Sequence, residues 1–138
     1  MRVVNIPVAP REPADITDRL ISAIGPRTRV LSFSGITSPT GLILPAKQIC
    51  AAAREKEVIT VVDGAHMDGQ IPVNLHDLGC DTFAGSPHKW MFAPAGCGLL
   101  YGRESQKSGL FRITASHSFR GGVGSPAVEE LAASASRK

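Results

Sequence analysis

Val58-Ile59-Thr60-Val61-Val62-Asp63-Gly64-Ala65-His66 is the stretch that decides how this chain folds. Its first five residues are apolar or β-branched, the mark of a strand buried on both faces, Val58 to Val62. The run ends on a carboxylate, Asp63, and then a glycine. In open α/β sheets ligands gather at the carboxyl ends of strands, where Asp63 falls. An aspartate after a strand also serves as a turn former or N-cap. Taken alone, Asp63 fits either role.

On its N-terminal side the strand is preceded by Pro45 to Lys56, which reads as a helix. Pro45 suits the first helical position, and Arg54 and Lys56 suit the carbonyl end. Gly35 to Leu44 is a loop of turn-forming residues, and Thr28 to Ser34 reads as a strand. Pro13 to Ile24 is an amphipathic helix with Ile16, Leu20, Ile21 and Ile24 on one face, stopped by Gly25-Pro26. Arg2 to Val8 reads as a strand, short or at an edge because of Pro7. On the C-terminal side come a loop from Asp63 to Val73, a helical turn near Asn74–Leu78, and brief strands at Asp81–Ala84 and Cys97–Tyr101.

This alternation predicts an α/β fold, a mostly parallel sheet with flanking helices. Residues 1–103 form that unit. Residues 104–138 are a divergent segment: Gly121-Gly122-Val123-Gly124-Ser125-Pro126 breaks any regular element, and Ala127–Lys138 is a helix or a tail. There is no internal repeat.

A chain of 138 residues is one domain's worth and can bury a real core. The net charge of +3 is small and no helix concentrates it, which speaks against a nucleic-acid partner. Three cysteines without CxxC spacing read as reduced thiols in a cytoplasm, not as a disulfide framework. No apolar run reaches the roughly 18 residues a membrane span needs, and Met1 to Asn5 carries no signal-peptide hydrophobic region. The chain enters a strand with no lead-in, which reads as truncation of something longer.

The second chemical stretch is Ser86-Pro87-His88-Lys89-Trp90, with Lys89 placed 26 positions after Asp63. A lysine attacks a carbonyl only when neutral, and a desolvated site beside other cationic groups favours that form. His88 with Trp90, Met91 and Phe92 offers such a setting; a solvated surface lysine is the plain alternative. Ser86, His88 and the turn amides suit a phosphate dianion, while Ser86-Pro87 also serves simply to start a turn. His66 can face the same ligand as Asp63 or be structural. The histidines and cysteines show no metal-ligand spacing, and Gly121–Gly124 lacks the context of a nucleotide loop. A lysine held opposite an aspartate is what pyridoxal 5'-phosphate (PLP) chemistry needs: an amine for the Schiff base and a carboxylate to keep the pyridine nitrogen protonated.

Several pieces recur together here: Thr37-Ser38-Pro39-Thr40-Gly41-Leu42-Ile43-Leu44-Pro45 with its helix, Val62 to His66, Leu78-Gly79-Cys80-Asp81, Ser86 to Trp90, and Gly96-Cys97-Gly98-Leu99-Leu100-Tyr101. In that order and spacing, over roughly residues 28–103, they resemble the class V aminotransferase family of fold-type I PLP enzymes. That family includes cysteine desulfurases, kynureninases and isopenicillin N epimerase-like proteins. The resemblance implies that Lys89 is the Schiff-base lysine and Asp63 the partner of the pyridine nitrogen. It places His66 where many members have a glutamine that contacts the phenolic oxygen, and Ser86 and His88 on the phosphate side. The Asp-Gly-Ala-His and His-Lys-Trp forms are closer to the epimerase-like branch than to the desulfurases.

The family's upstream phosphate loop and ring-stacking residue have no counterpart in this sequence. Neither do its small C-terminal domain with the carboxylate-binding arginine and the Gly-Thr segment that reaches a partner subunit. The resemblance therefore implies the central part of a larger, homodimeric enzyme acting at the α-carbon of a small-molecule amino-acid substrate. Transamination, racemisation or epimerisation, and β/γ-elimination all fit, with Lys89 as anchor and general base. An inactive fragment, or a flavodoxin-like α/β ligand-binding domain without PLP chemistry, remains the alternative.

Overall fold

Pro13 opens α1 (Pro13–Ser22), where its missing N–H leaves no helical bond unmade. Ile16 and Leu20, one turn apart, are buried. Asp15 in the first turn accepts from the Arg11 backbone N–H at 3.0 Å. The helix ends short of Ile24, because the Ala23 N–H already turns back to Leu20 O at 3.2 Å. The computed structural model describes residues 1–105; the expectations for Gly121–Pro126 and Ala127–Lys138 lie outside the described residues. After α1 come β1 (Val30–Ser34), α2 (Ala46–Glu55), β2 (Ile59–Asp63), α3 (Leu75–Leu78), β3 (Thr82–Gly85) and β4 (Leu99–Gly102).

The four strands lie in sequence order in one sheet. β1 pairs with β2 and β2 with β3 in parallel, while β4 runs antiparallel to β3. Parallel neighbours need crossovers, and α2 and α3 lie on the connections between them. This is the mostly parallel α/β architecture expected from the alternation of elements. Register sets Phe33, Val62, Phe83 and Tyr101 side by side across the sheet. Phe33, Val62 and Phe83 are buried and join Ile49 and Cys50 of α2 and Ile16 and Leu20 of α1 in one core. α2 packs on β2 and touches both α1 and α3, so the helices gather on one face.

That packing corrects the reading of the central strand as buried on both faces. Thr60 and Val62 are buried, but Ile59 and Asp63 are exposed. Val30, Ala84 and Leu100 are exposed beside them. Among the described residues no helix covers this second face, so β2 alternates as a half-buried strand does.

Residues 2–8 also depart from expectation: they form no strand. Val4 and Ile6 pack against the core. The backbone is held instead by arginines, Arg2 Nη1 donating to Ala23 O at 3.2 Å and Arg19 Nη1 to Asn5 O at 3.2 Å. Pro7 has no N–H to give a ladder. A third, smaller correction concerns Pro45, which is the N-cap of α2 and not its first helical residue.

β2 and β3 are locked at the end opposite Asp63. Asp81 Oδ2 accepts from both the N–H and the hydroxyl of Thr60, each at 2.9 Å, and the Asp81 N–H donates to Thr60 Oγ1 at 3.1 Å. Thr60 is buried, and this exchange satisfies its polar atoms. Arg103 pairs with Asp81 at 3.6 Å, and both Arg54 and Arg103 donate to the Gly79 carbonyl. Cys50 and Cys80 are buried beside this cluster, and Cys97 is exposed; all three thiols are free. Burial pushes the Cys50 thiol up to about 11.

Candidate active site

Asp63 is the last residue of β2, and the neighbouring strands frame it. Register places Ser34, the last residue of β1, on one side and Ala84 of β3 on the other. Ser34 Oγ donates to Asp63 Oδ2 at 3.1 Å, and the Ala65 N–H donates to Oδ1 at 3.0 Å. Both carboxylate oxygens are thereby oriented, and the side chain stays on the exposed face of the sheet. The following residue allows no side chain: a Cβ on Gly64 would lie 1.9 Å from the Phe83 ring. The chain after Asp63 thus turns directly over the core.

Three side chains from two loops meet next to this strand end. His66 follows β2, and Lys89 and Trp90 follow β3. Lys89 Nζ lies 3.2 Å from His66 Nε2. Trp90 Nε1 donates to His66 Nδ1 at 3.1 Å. The turn that carries the lysine is closed by the Lys89 N–H donating to Ser86 O at 2.9 Å. His88 points elsewhere, its Nδ1 lying 3.2 Å from Cys97 O. A carbonyl only accepts, so this contact puts a proton on Nδ1 and ties the lysine turn to the approach to β4.

Of the residues singled out in the sequence, the structure brings Lys89 and His66 into contact and sets Asp63 three residues before His66. Ser86 begins the lysine turn, and His88 braces it. Sequence reasoning assigned no role to Ser34, Asp68 or the indole N–H of Trp90. Ser34 was visible as the polar end of a strand parallel to Val58–Val62. In the sequence Trp90 reads as apolar cover beside Met91 and Phe92. Asp68 had no signal at all. It is buried, with Oδ2 lacking a hydrogen-bond partner. Burial raises its carboxyl above the ordinary range, and the Ser86 backbone N–H pulls it part of the way back.

An open, mostly parallel sheet with a carboxylate and a lysine–imidazole pair on the loops at the carboxyl ends of its strands is the layout of a ligand-binding α/β protein. Comparison with known proteins narrows this class. A model of the aminotransferase class-V family matches residues 1–119. Isopenicillin N epimerase of Streptomyces clavuligerus is 48% identical over 101 residues, which cover 73% of this chain and 25% of that protein. Isopenicillin N epimerase of Amycolatopsis lactamdurans is 46% identical over 107 residues, 77% of this chain and 27% of that protein. A solved cysteine desulfurase from Escherichia coli aligns with a TM-score of 0.61 at 29% identity, over 68% of this chain and 23% of that one.

The chain belongs to the aminotransferase class-V family. It spans about a quarter of the length of these curated relatives. The family is generally PLP-dependent, and the donor set here fits that cofactor: an oriented carboxylate at a strand end, an amine in contact with an imidazole, and a hydroxyl-bearing turn. No helix among the described residues is long and apolar enough to cross a membrane.

Proposed function

We propose that this chain carries the core of a PLP centre that acts at the α-carbon of an amino acid, with Lys89 as the residue that attaches the cofactor. One observation carries the reading: Lys89 Nζ sits 3.2 Å from an imidazole nitrogen of His66, on the loop that Asp63 begins. Bound there, the cofactor supplies an aldehyde and an electron-withdrawing pyridine ring. Asp63 holds the proton of the ring nitrogen. Ser34 and Ala65 fix its two oxygens beforehand, so little reorganisation is needed. Lys89 Nζ would be the amine that attaches the cofactor through its aldehyde and, when free, the general base that takes the α-proton of the substrate. His66 lies between these two roles, and Ser86 and His88 would serve the phosphate side through the Ser86 hydroxyl and His88 Nε2, the atoms that the Asp68 and Cys97 contacts do not use.

The epimerase relatives favour epimerisation, in which the proton returns to the opposite face of the carbon. Homodimerisation belongs to this proposal as the state of a complete enzyme. The quarter-length span supports a second reading, that this chain by itself does not turn over substrate.

The test is chemical trapping. The purified chain is incubated with millimolar PLP, reduced with borohydride, digested and mapped by mass spectrometry. The adduct is expected chiefly on Lys89, with Lys47 and Lys56 labelled weakly. Equal labelling of those lysines, or none at Lys89, overturns the assignment.

A further inference from the structure

Trp90 sits 44% exposed, so burial alone does not account for a residue of that size immediately after the lysine. Its ring does not stack on its neighbour either: the indole and the His66 imidazole are tilted by 58°, with centroids 6.2 Å apart. What it does make is a directed bond. The indole N–H, which can only donate, points at His66 Nδ1 at 3.1 Å. Nδ1 is therefore the acceptor nitrogen of the ring. A neutral imidazole carries one N–H, so its proton is on Nε2. Nε2 is the atom that faces Lys89 Nζ at 3.2 Å.

We infer that Trp90 is a positioning residue for this centre: its indole N–H selects the Nε2–H tautomer of His66 and aims that proton at Lys89 Nζ. A donor at this point engages the lone pair of the neutral amine, the form that adds to a carbonyl, and so orients it. Without the indole N–H, Nδ1 has no donor, and the imidazole can carry its proton on either nitrogen. Lys89 and Trp90 are adjacent on one turn while His66 belongs to another loop. The arrangement thus also sets the distance between the loops that follow β2 and β3.

The tautomer follows from hydrogen bonding alone; its consequence for cofactor attachment rests on the function proposed above. The experiment separates the two. In the first arm the full chain is labelled with 15N-histidine, and long-range 1H–15N correlation spectra report the tautomer of each ring. His66 is assigned by its loss in His66→Gln. The Nε2–H form is expected in the native chain and a mixture of tautomers in Trp90→Phe, with His76, His88 and His117 unchanged. An Nδ1–H form in the native chain, or a ring unaffected by Trp90→Phe, overturns the inference.

The second arm is a double-mutant cycle read as initial rate of borohydride-trapped labelling at Lys89 with PLP. Trp90→Phe should slow labelling about tenfold, the size of one net hydrogen bond. In the His66→Gln background it should change nothing, because a glutamine amide has a fixed N–H and no tautomer to select. Equal slowing in both backgrounds means that Trp90 acts only by packing, and the inference fails. If Trp90→Phe does not fold, benzothienylalanine at position 90, which replaces the indole N–H by sulfur and keeps the shape, takes its place in both arms. Absence of labelling at Lys89 in every variant refutes the proposed function, while the spectra still decide the role of Trp90.

Discussion

Asp68 shows how a single residue can act against the stability of a site it adjoins. The residue is 8% exposed, and its Oδ2 has no hydrogen-bond partner. It fits only because Gly85 has no side chain: a Cβ there would lie 1.9 Å from Oδ2. The Ser86 amide, one of the turn donors that the sequence offered to an anion, acts on this carboxyl instead. Desolvation raises its folded-state value above the ordinary one, so the folded chain holds the proton more tightly than the unfolded chain. The resulting stabilisation is full below pH roughly 4, the unfolded value, and is lost as pH rises through the raised folded value. Asn cannot ionise. Asp68→Asn should therefore stabilise the chain by about 1 kcal/mol at pH 8, since it removes a poorly compensated buried charge, and by less at pH 4. Urea unfolding at the two values measures this; an unchanged difference between them would show that Asp68 does not carry the pH dependence.

Among the elements, β2 does the most positioning, and its exit depends on a close approach. Gly64 donates its N–H to Ala84 O at 2.7 Å and lies against the buried Phe83 ring. A methyl group there meets the ring at 1.9 Å, and a core phenylalanine fixed by Phe33 and Val62 in its own register row has little freedom to retreat. Gly64→Ala should lower stability by about 1–3 kcal/mol, the usual range for overpacking. It should also shift the Asp63 carboxylate away from Ser34. Gly25→Ala is the control, because nothing lies within 4 Å of a Cβ at that position. The denaturation midpoint should fall for the first variant and hold for the second; similar midpoints would mean that Phe83 yields easily.

At the scale of the molecule, the sheet is covered by helices on one face only among the described residues. Val30 and Ile59 are exposed at one end of the other face, and Leu100 toward the end that carries Asp63. Exposed apolar surface of this kind favours association. The purified 138-residue chain should therefore self-associate, and its affinity for PLP should be low, since Asp63 lies exposed on this uncovered face. Light scattering and a spectroscopic PLP titration with amino-acid turnover measure both. A monodisperse chain with tight, saturable binding and ordinary turnover would show that residues beyond 105 complete the site.

By itself, the sequence determined the local structure and the chemical inventory. Helix and strand periods, Pro13, Gly25-Pro26 and the β-branched run Val58–Val62 are short-range signals, so α1, α2 and all four strands of the sheet were legible to within one or two residues. The carboxylate at a strand end and the lysine turn were legible because a β-branched run ends at Asp63 and Ser86-Pro87 starts the turn that carries Lys89. Whatever depends on where elements pack was not. Arg2–Val8 has strand composition, but no strand lies beside it; Arg19 donates to its Asn5 carbonyl, and its own Arg2 side chain donates to Ala23 O. Val58–Val62 reads as buried on both faces because apolarity reports preference, whereas exposure depends on which side α1, α2 and α3 occupy. The contacts of His66 with Lys89 and Trp90 join positions 23 and 24 residues apart. Only the parallel pairing of β2 with β3 brings their loops together, and only that meeting decides which nitrogen of His66 carries its proton.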